Sequence, residues 1–421
     1  MPRCSALVAA AMLSIAAAPP PAEVALAALR AAPVWDGHND VAEQLRVRRK
    51  DRLDGFDFRD TASTTDTARA EDGTPLPAMQ TDLARLRRGH VGAQFWSVFV
   101  SAQLPEPQAV QATLEQIDVM KRLIARYPDD LQFAASAQDV AAAWRAGRIA
   151  SLLGMEGGHA IGGSLGVLRQ MYALGVRYMT LTHFRNTAWA DSATDAPAHH
   201  GLTPFGRDVV REMQRLGMLV DLSHVSAETM RAALAVAGAP VMFSHSGAFA
   251  LDASPRNAPD DVLRLLKANG GIIMVNSYPP YVSEAVRRWS AARAAEEARG
   301  KALAPCDPAA AAAALAAWQQ ANPRPEASLA EVADHIDHIA ALIGHDHVGL
   351  GGDFDGIEIT TRGMEDVSTY PALFTELARR GWSEGDLEKL ASGNMMRVLK
   401  AAQAYATAHR GDPPIESATT F

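Results

Sequence analysis

The sequence predicts an α/β chain folded as a (β/α)8, TIM-like barrel, with a helical insertion after its seventh strand. Three observations predict it. Eight short, near-continuous apolar runs follow one another along the 421 residues, the pattern of parallel strands buried on both faces. Helical periodicity fills the stretches between them, so strand and helix alternate. Six of the runs end in a histidine or carboxylate, the register expected where a barrel builds its site at the C-terminal ends of its strands.

The expected strands, in order, are Val34–Asp40, Ala93–Ser101, Ile149–Glu156, Val176–His183, Met218–His224, Val241–His245, Gly271–Ser277 and Val348–Asp353. A polar stretch over 51–80 reads as a long loop after the first. Leu165, Leu168 and Tyr172 recur at helical spacing before the fourth. Thr203-Pro204 reads as an N-cap followed by proline at the first helical position, with Val209, Met213 and Leu216 as the apolar face and Gly217 as the stop. Residues 282–327 are rich in alanine and arginine and broken by Pro305, Pro308, Pro323 and Pro325. They read as a helical insertion that opens on the catalytic face, as a lid or subunit contact. Ser328 and Glu331 form a capping box for a helix with Val332, Ile336, Ile339 and Ile343 on one face.

The net charge of −8 and the lack of a sustained basic block exclude nucleic acid as an expected partner. Two cysteines, Cys4 and Cys306, exclude a disulfide framework and a cysteine zinc site, so any metal must be held by histidines and carboxylates. Residues 1–22 read as a signal peptide for export, with an apolar stretch from Ser5 to Ala18 that is too short to span a membrane. The expected catalytic domain is 23–405, with 406–421 as a tail.

Each site residue has a chemical reading and a plainer one. Side chains at i and i+2 of a strand point the same way, so His38 and Asp40 can grip one cation or simply pair with each other. Glu156, ending a strand among glycines, needs a partner: a neighbouring arginine, or two metals bridged by its oxygens. Ser223-His224 and Ser244-His245 close consecutive units at equivalent places, which favours shared metal ligation over two core histidines. His183 can hold a developing oxyanion. Asp353 can move a proton from an attacking water to a leaving amine, while Asp355 closes the turn. Arg256 suits bidentate capture of a carboxylate or a surface salt bridge. His335, His338, His345, His347, His199 and His200 are assigned to packing, solvent or the far face of the barrel.

Taken together, eight segments resemble the membrane (renal-type) dipeptidases, the M19 metallopeptidases of the amidohydrolase superfamily. They are Asp36-Gly37-His38-Asn39-Asp40, Gly154-Met155-Glu156-Gly157, Leu181-Thr182-His183, Trp189-Ala190-Asp191, Asp221-Leu222-Ser223-His224-Val225-Ser226, Phe243-Ser244-His245-Ser246, Arg256-Asn257 and Gly351-Gly352-Asp353-Phe354-Asp355-Gly356. The resemblance runs from about Val34 to Val398. It implies a zinc-dependent dipeptidase with two Zn2+ per subunit, bridged by Glu156. His38 and Asp40 would complete one metal site, His224 and His245 the other. It also implies that His183 contacts the scissile group, Arg256 binds the substrate's terminal carboxylate, Tyr281 lines the pocket and Asp353 handles the proton. Small dipeptides, including some with a C-terminal D-residue, are the implied substrates, and a homodimer is the implied assembly. The chain departs from animal relatives in its few cysteines, its lack of a hydrophobic C-terminal tail and its longer 282–327 connection. Hydrolysis of a lactam, an N-acyl amino acid or a lactone on the same metals stays open, as does a vestigial site on a binding protein.

Overall fold

The structure, a computed structural model, describes residues 19–65 and 76–417. Most of the expected leader, with Cys4, and part of the 51–80 loop lie outside the described residues. Among the described residues are nine strands: β1 (Val34–Asn39), β2 (Val91–Phe99), β3 (Leu131–Phe133), β4 (Ile149–Glu156), β5 (Val176–Thr180), β6 (Leu219–Asp221), β7 (Met242–Ser246), β8 (Ile272–Val275) and β9 (Val348–Leu350). Every pairing is parallel, and β2 pairs with β4, so eight strands close into the expected barrel with helices around it.

The ninth strand, β3, is not anticipated by the sequence. It pairs with Ile149–Ser151 at the start of β4, while β5 takes Leu153–Glu156 further along; β2 runs along Ala150–Glu156. A three-residue strand, Leu131-Gln132-Phe133, is too short to show an alternating pattern.

Several strands also end earlier than expected. Val176–His183 shortens to β5, Met218–His224 to β6, Gly271–Ser277 to β8 and Val348–Asp353 to β9. The physical reason lies in two buried aspartates that replace ladder partners. Asp221 Oδ1 accepts from Ser223 N at 3.1 Å and from Ser244 N at 2.8 Å. Asp36 Oδ1 accepts from His38 N at 3.1 Å and from Gly352 N at 3.0 Å. Backbone groups there are satisfied by carboxylates rather than by a neighbouring strand. The chain is thereby free to splay: His183 and His224 project from loops just beyond β5 and β6, while His38 and His245 stand within the ends of β1 and β7.

Helix signals act as read. Thr203 Oγ1 accepts from Gly206 N at 3.2 Å, and Gly217 (φ 84°) ends the helix Pro204–Leu216. Glu331 Oε2 reaches back to accept from Ser328 N at 2.7 Å at the start of Leu329–Ile343. The stretch after β8 forms a short turn of helix, Pro279–Val282, then two long helices, Glu284–Leu303 and Pro308–Ala321. These two lean on each other through Trp289 and Trp318, whose rings are 6.0 Å apart, and Trp289 Nε1 donates to Asn322 O at 2.8 Å. At the foot, Val286 is buried and Arg287 pairs with the buried Asp252. No helix among the described residues is long and apolar enough to cross a membrane.

Candidate metal centre and substrate cleft

Seven side chains from six places along the chain meet at the C-terminal mouth of the barrel. Glu156, the last residue of β4, is at their centre and its two oxygens face different ways. Oε2 lies 3.3 Å from His38 Nε2, which is itself 3.1 Å from Asp40 Oδ2. Oε1 lies 3.0 Å from His224 Nε2, 3.4 Å from His245 Nε2 and 3.6 Å from His183 Nε2. The two imidazole nitrogens of His224 and His245 are 2.9 Å apart. Three triplets of donor atoms, each within 4.8 Å of one another, could hold a metal: His38, Glu156 and His245; Glu156, His183 and His224; His38, Asp40 and Asp353.

All these side chains are buried. Burial holds His183 down to about 4 and keeps His224 and His245 well below the usual imidazole range, so all three are neutral at neutral pH. Burial also disfavours a charge on His38, but Glu156, Tyr178 and Asp40 outweigh it and lift it well above that range. Burial raises Asp353 to about 7 against the pull of His38, with Asp40 and Glu156 adding to the rise. His38 Nε2 and Asp40 Oδ1 have no hydrogen-bond partner although buried. Buried polar atoms are normally satisfied, so orphaned imidazole and carboxylate donors converging on one spot fit a cation.

The supporting residues were not anticipated from the sequence. The Tyr178 hydroxyl meets His38 Nδ1 at 2.8 Å, and Ser244 Oγ meets His245 Nδ1 at 2.8 Å while donating to Asp221 Oδ2. Tyr178 reaches the barrel axis because Gly154 has no side chain: a Cβ there would sit 2.0 Å from the tyrosine Cζ. Alternation along β5 puts Tyr178 on the inward face, a signal available in the sequence.

Above the cluster opens a cleft of about 270 Å³, bordered by Arg256, Tyr281 and Asp353 together with Phe99, Tyr278 and Glu43. Asp353, at φ 63°, is held by Asn276, whose Nδ2 donates to Oδ2 at 2.9 Å. Arg256 is 1 % exposed and lies 5.2 Å from the centre of the Tyr281 ring. It donates to His245 O at 3.2 Å and Ser246 Oγ at 3.4 Å, and its Nε has no partner. No carboxylate pairs with it among the described residues. A salt bridge at the surface is thus ruled out for Arg256, and its burial leaves a cation facing the cleft without a counter-ion. Such a group costs several kcal/mol to bury unpaired, by the usual order of magnitude.

With this geometry in view, the relatives are informative. Residues 23–412 match the family described as membrane dipeptidase (Peptidase family M19). The chain belongs to that family. It is 40% identical over 398 residues to dipeptidase 3 of Macaca fascicularis, covering 93% of this chain and 70% of that protein. It is also 40% identical over 399 residues to an uncharacterized dipeptidase of Schizosaccharomyces pombe, covering 91% of this chain and 84% of that one. The crystal structure of a probable dipeptidase, PvdM from Pseudomonas aeruginosa, superposes with a TM-score of 0.76 at 26% identity, covering 91% of this chain and 99% of that one. The resemblance carried by the sequence segments is therefore established at the level of family and fold.

Four of the other histidines have structural partners. His335 Nδ1 accepts from Ala248 N at 2.9 Å and its other nitrogen meets Val282 O at 3.2 Å. His338 pairs with Asp260 at 2.9 Å, and His347 with Gly271 O at 2.8 Å at the far end of the barrel. His199 is not simply solvated: its Nε2 lies 3.0 Å from Thr187 O. Asp355 is structural, but its bonds tie its turn to a distant loop: Gln80 N donates to Oδ1 at 2.7 Å and Asp355 N donates to Gln80 Oε1 at 2.8 Å.

Proposed function

We propose that this chain is a dipeptidase using two zinc ions, and one observation carries the proposal: the two oxygens of Glu156 serve two different sets of donors. His38 and Asp40 would hold one ion with Oε2; His224 and His245 would hold the other with Oε1. Mixed imidazole and carboxylate donors suit zinc. When bound, a zinc pair supplies Lewis acidity toward a carbonyl and readies a water to attack it.

The chain's own residues supply the rest. Arg256 takes the substrate's terminal carboxylate in a bidentate pair and places the preceding amide over Glu156. His183, neutral yet still carrying one N–H, donates to the oxygen that becomes negative as the carbonyl turns tetrahedral. Asp353 takes a proton from the attacking water and delivers it to the departing amine. Its raised pKa puts it close to the poise such a relay needs. The reach from Arg256 to the cluster favours dipeptides, including those with a C-terminal D-residue.

The test is hydrolysis of L,L- and L,D-dipeptides and matched tripeptides by protein of known metal content, before and after chelation and zinc restoration. Zinc-dependent cleavage of dipeptides over tripeptides is the expected result. Two bound zincs with no peptide cleavage would move the activity to a lactam, an N-acyl amino acid or a lactone.

A further inference from the structure

We infer that the cleft selects dipeptides whose N-terminal residue has a basic side chain, and that Glu43 and Glu358 select it. The inference rests on the dipeptide reading above. The cleft is chemically asymmetric. Arg256 lies against the Tyr281 ring, Tyr281 meets Tyr278 edge-on with ring centres 4.9 Å apart, and the Tyr278 hydroxyl donates to Glu358 Oε1 at 2.6 Å. Two aromatic rings therefore stand between the guanidinium and the Glu358 carboxylate.

Glu43 sits one helical turn beyond Asp40, on the helix Val41–Arg49. Glu43, Ile357 and Glu358 border both the main cleft and an adjoining cavity of about 400 Å³, whereas Arg256 borders the main cleft alone. The two carboxylates thus flank the passage leading away from the arginine. Glu43 is half-buried, and burial together with the nearby Asp40, Glu156 and Asp353 raises its pKa to about 8, so a neighbouring cation is what would draw out its charge. Arg48, a cation bordering the adjoining cavity, already donates to Gln44 Oε1 and to the carbonyls of Thr64 and Pro77.

A dipeptide spans about 7 Å between its ends. With its carboxylate on Arg256 and its amide over Glu156, its N-terminal side chain must lie away from the guanidinium, toward this passage. A lysine or arginine stem can run past the edge of Ile357 while its charged head reaches the two carboxylates. An acidic side chain would meet the like charge of Glu358 there, which selects against it.

The experiment compares zinc-loaded protein on Lys-D-Ala, on its uncharged near-isostere norleucyl-D-Ala, and on Glu-D-Ala, in the native chain and in Glu43→Gln and Glu358→Gln. Metal content and direct binding by calorimetry are measured alongside. The expected native preference for lysine over norleucine in kcat/KM is about tenfold or more. Each glutamine variant should narrow that ratio, with metal content retained. Equal kcat/KM for lysine and norleucine in the native chain would overturn the inference and leave dipeptide hydrolysis standing. An equal loss on both substrates would also overturn it, and would assign Glu43 to the substrate's α-ammonium. Glutamate-sensitive, lysine-selective binding without any turnover would uphold the selectivity and sink the hydrolytic reading instead. Binding equal for lysine and norleucine, again without turnover, would sink both.

Discussion

The Tyr178 hydroxyl lies 2.8 Å from His38 Nδ1, on the nitrogen that does not face Asp40 and Glu156. That contact fixes which imidazole nitrogen is left to bind a cation. Replacing Tyr178 with Phe keeps the ring over Gly154 and removes only the hydroxyl. Zinc affinity should fall by about 10- to 100-fold, the usual cost of losing a partner behind a metal-binding histidine. Competition against a chromophoric chelator reads this directly. Unchanged affinity would mean that packing alone orients His38.

Arg256 is predicted to act on binding more than on chemistry. Arg256→Ala should raise KM for dipeptides by about 100-fold, since truncating one member of a buried charge pair costs roughly 2–5 kcal/mol. A matched N-acetylated amide lacking the carboxylate should lose far less. If KM for the dipeptide stays put, the guanidinium has another task.

Asp353→Asn should retain the metals yet lower kcat by about 10²- to 10⁴-fold, the range for removing a general acid–base group. Asn276 could still hydrogen-bond the amide, so structure is kept. Steady-state rates with metal analysis would check this; a fall in KM alone would not fit.

His335, which does not line the cleft, gives a pH prediction for stability. Burial holds its folded-state pKa down to about 4, below the 6.5 of a free imidazole. A depressed histidine pKa contributes stability that is fully present above the unfolded value and is lost as pH falls through the folded one. The window is therefore about 6.5 down to 4, and the loss is at most about 3 kcal/mol. Protonated Nδ1 can no longer accept from Ala248 N. Melting temperature should drop across that window in the native chain and less steeply in His335→Gln.

Much of this was legible because the barrel repeats its register. Histidines at 183, 224 and 245 and the carboxylate at 156 each follow an apolar run, so alternation and spacing alone collect them at one mouth. The short strand β3 was not legible, since three residues carry no period. Strand ends were overestimated because apolar character continues through Leu181 and Leu222, while Asp36 and Asp221 divert the backbone from the ladder. Tyr178 and Ser244 act only through what they touch, and contact between β5 and β1 side chains cannot be read from one strand. Glu43 could have been found by counting one helical turn from Asp40, but nothing in its neighbours marked it as facing a cleft.

The paired helices Glu284–Leu303 and Pro308–Ala321 rest mostly on one another. No residue of the second is buried, and the foot at Val286 and Arg287 carries the junction with the barrel. Cooperativity should therefore break at that foot. Amide protons in the two helices should exchange with solvent through local opening, at rates set by the Trp289–Trp318 contact, while those of the barrel strands wait for global unfolding. The hairpin is then a separately exchanging unit, able to vary in length and composition without unsettling the barrel that carries it.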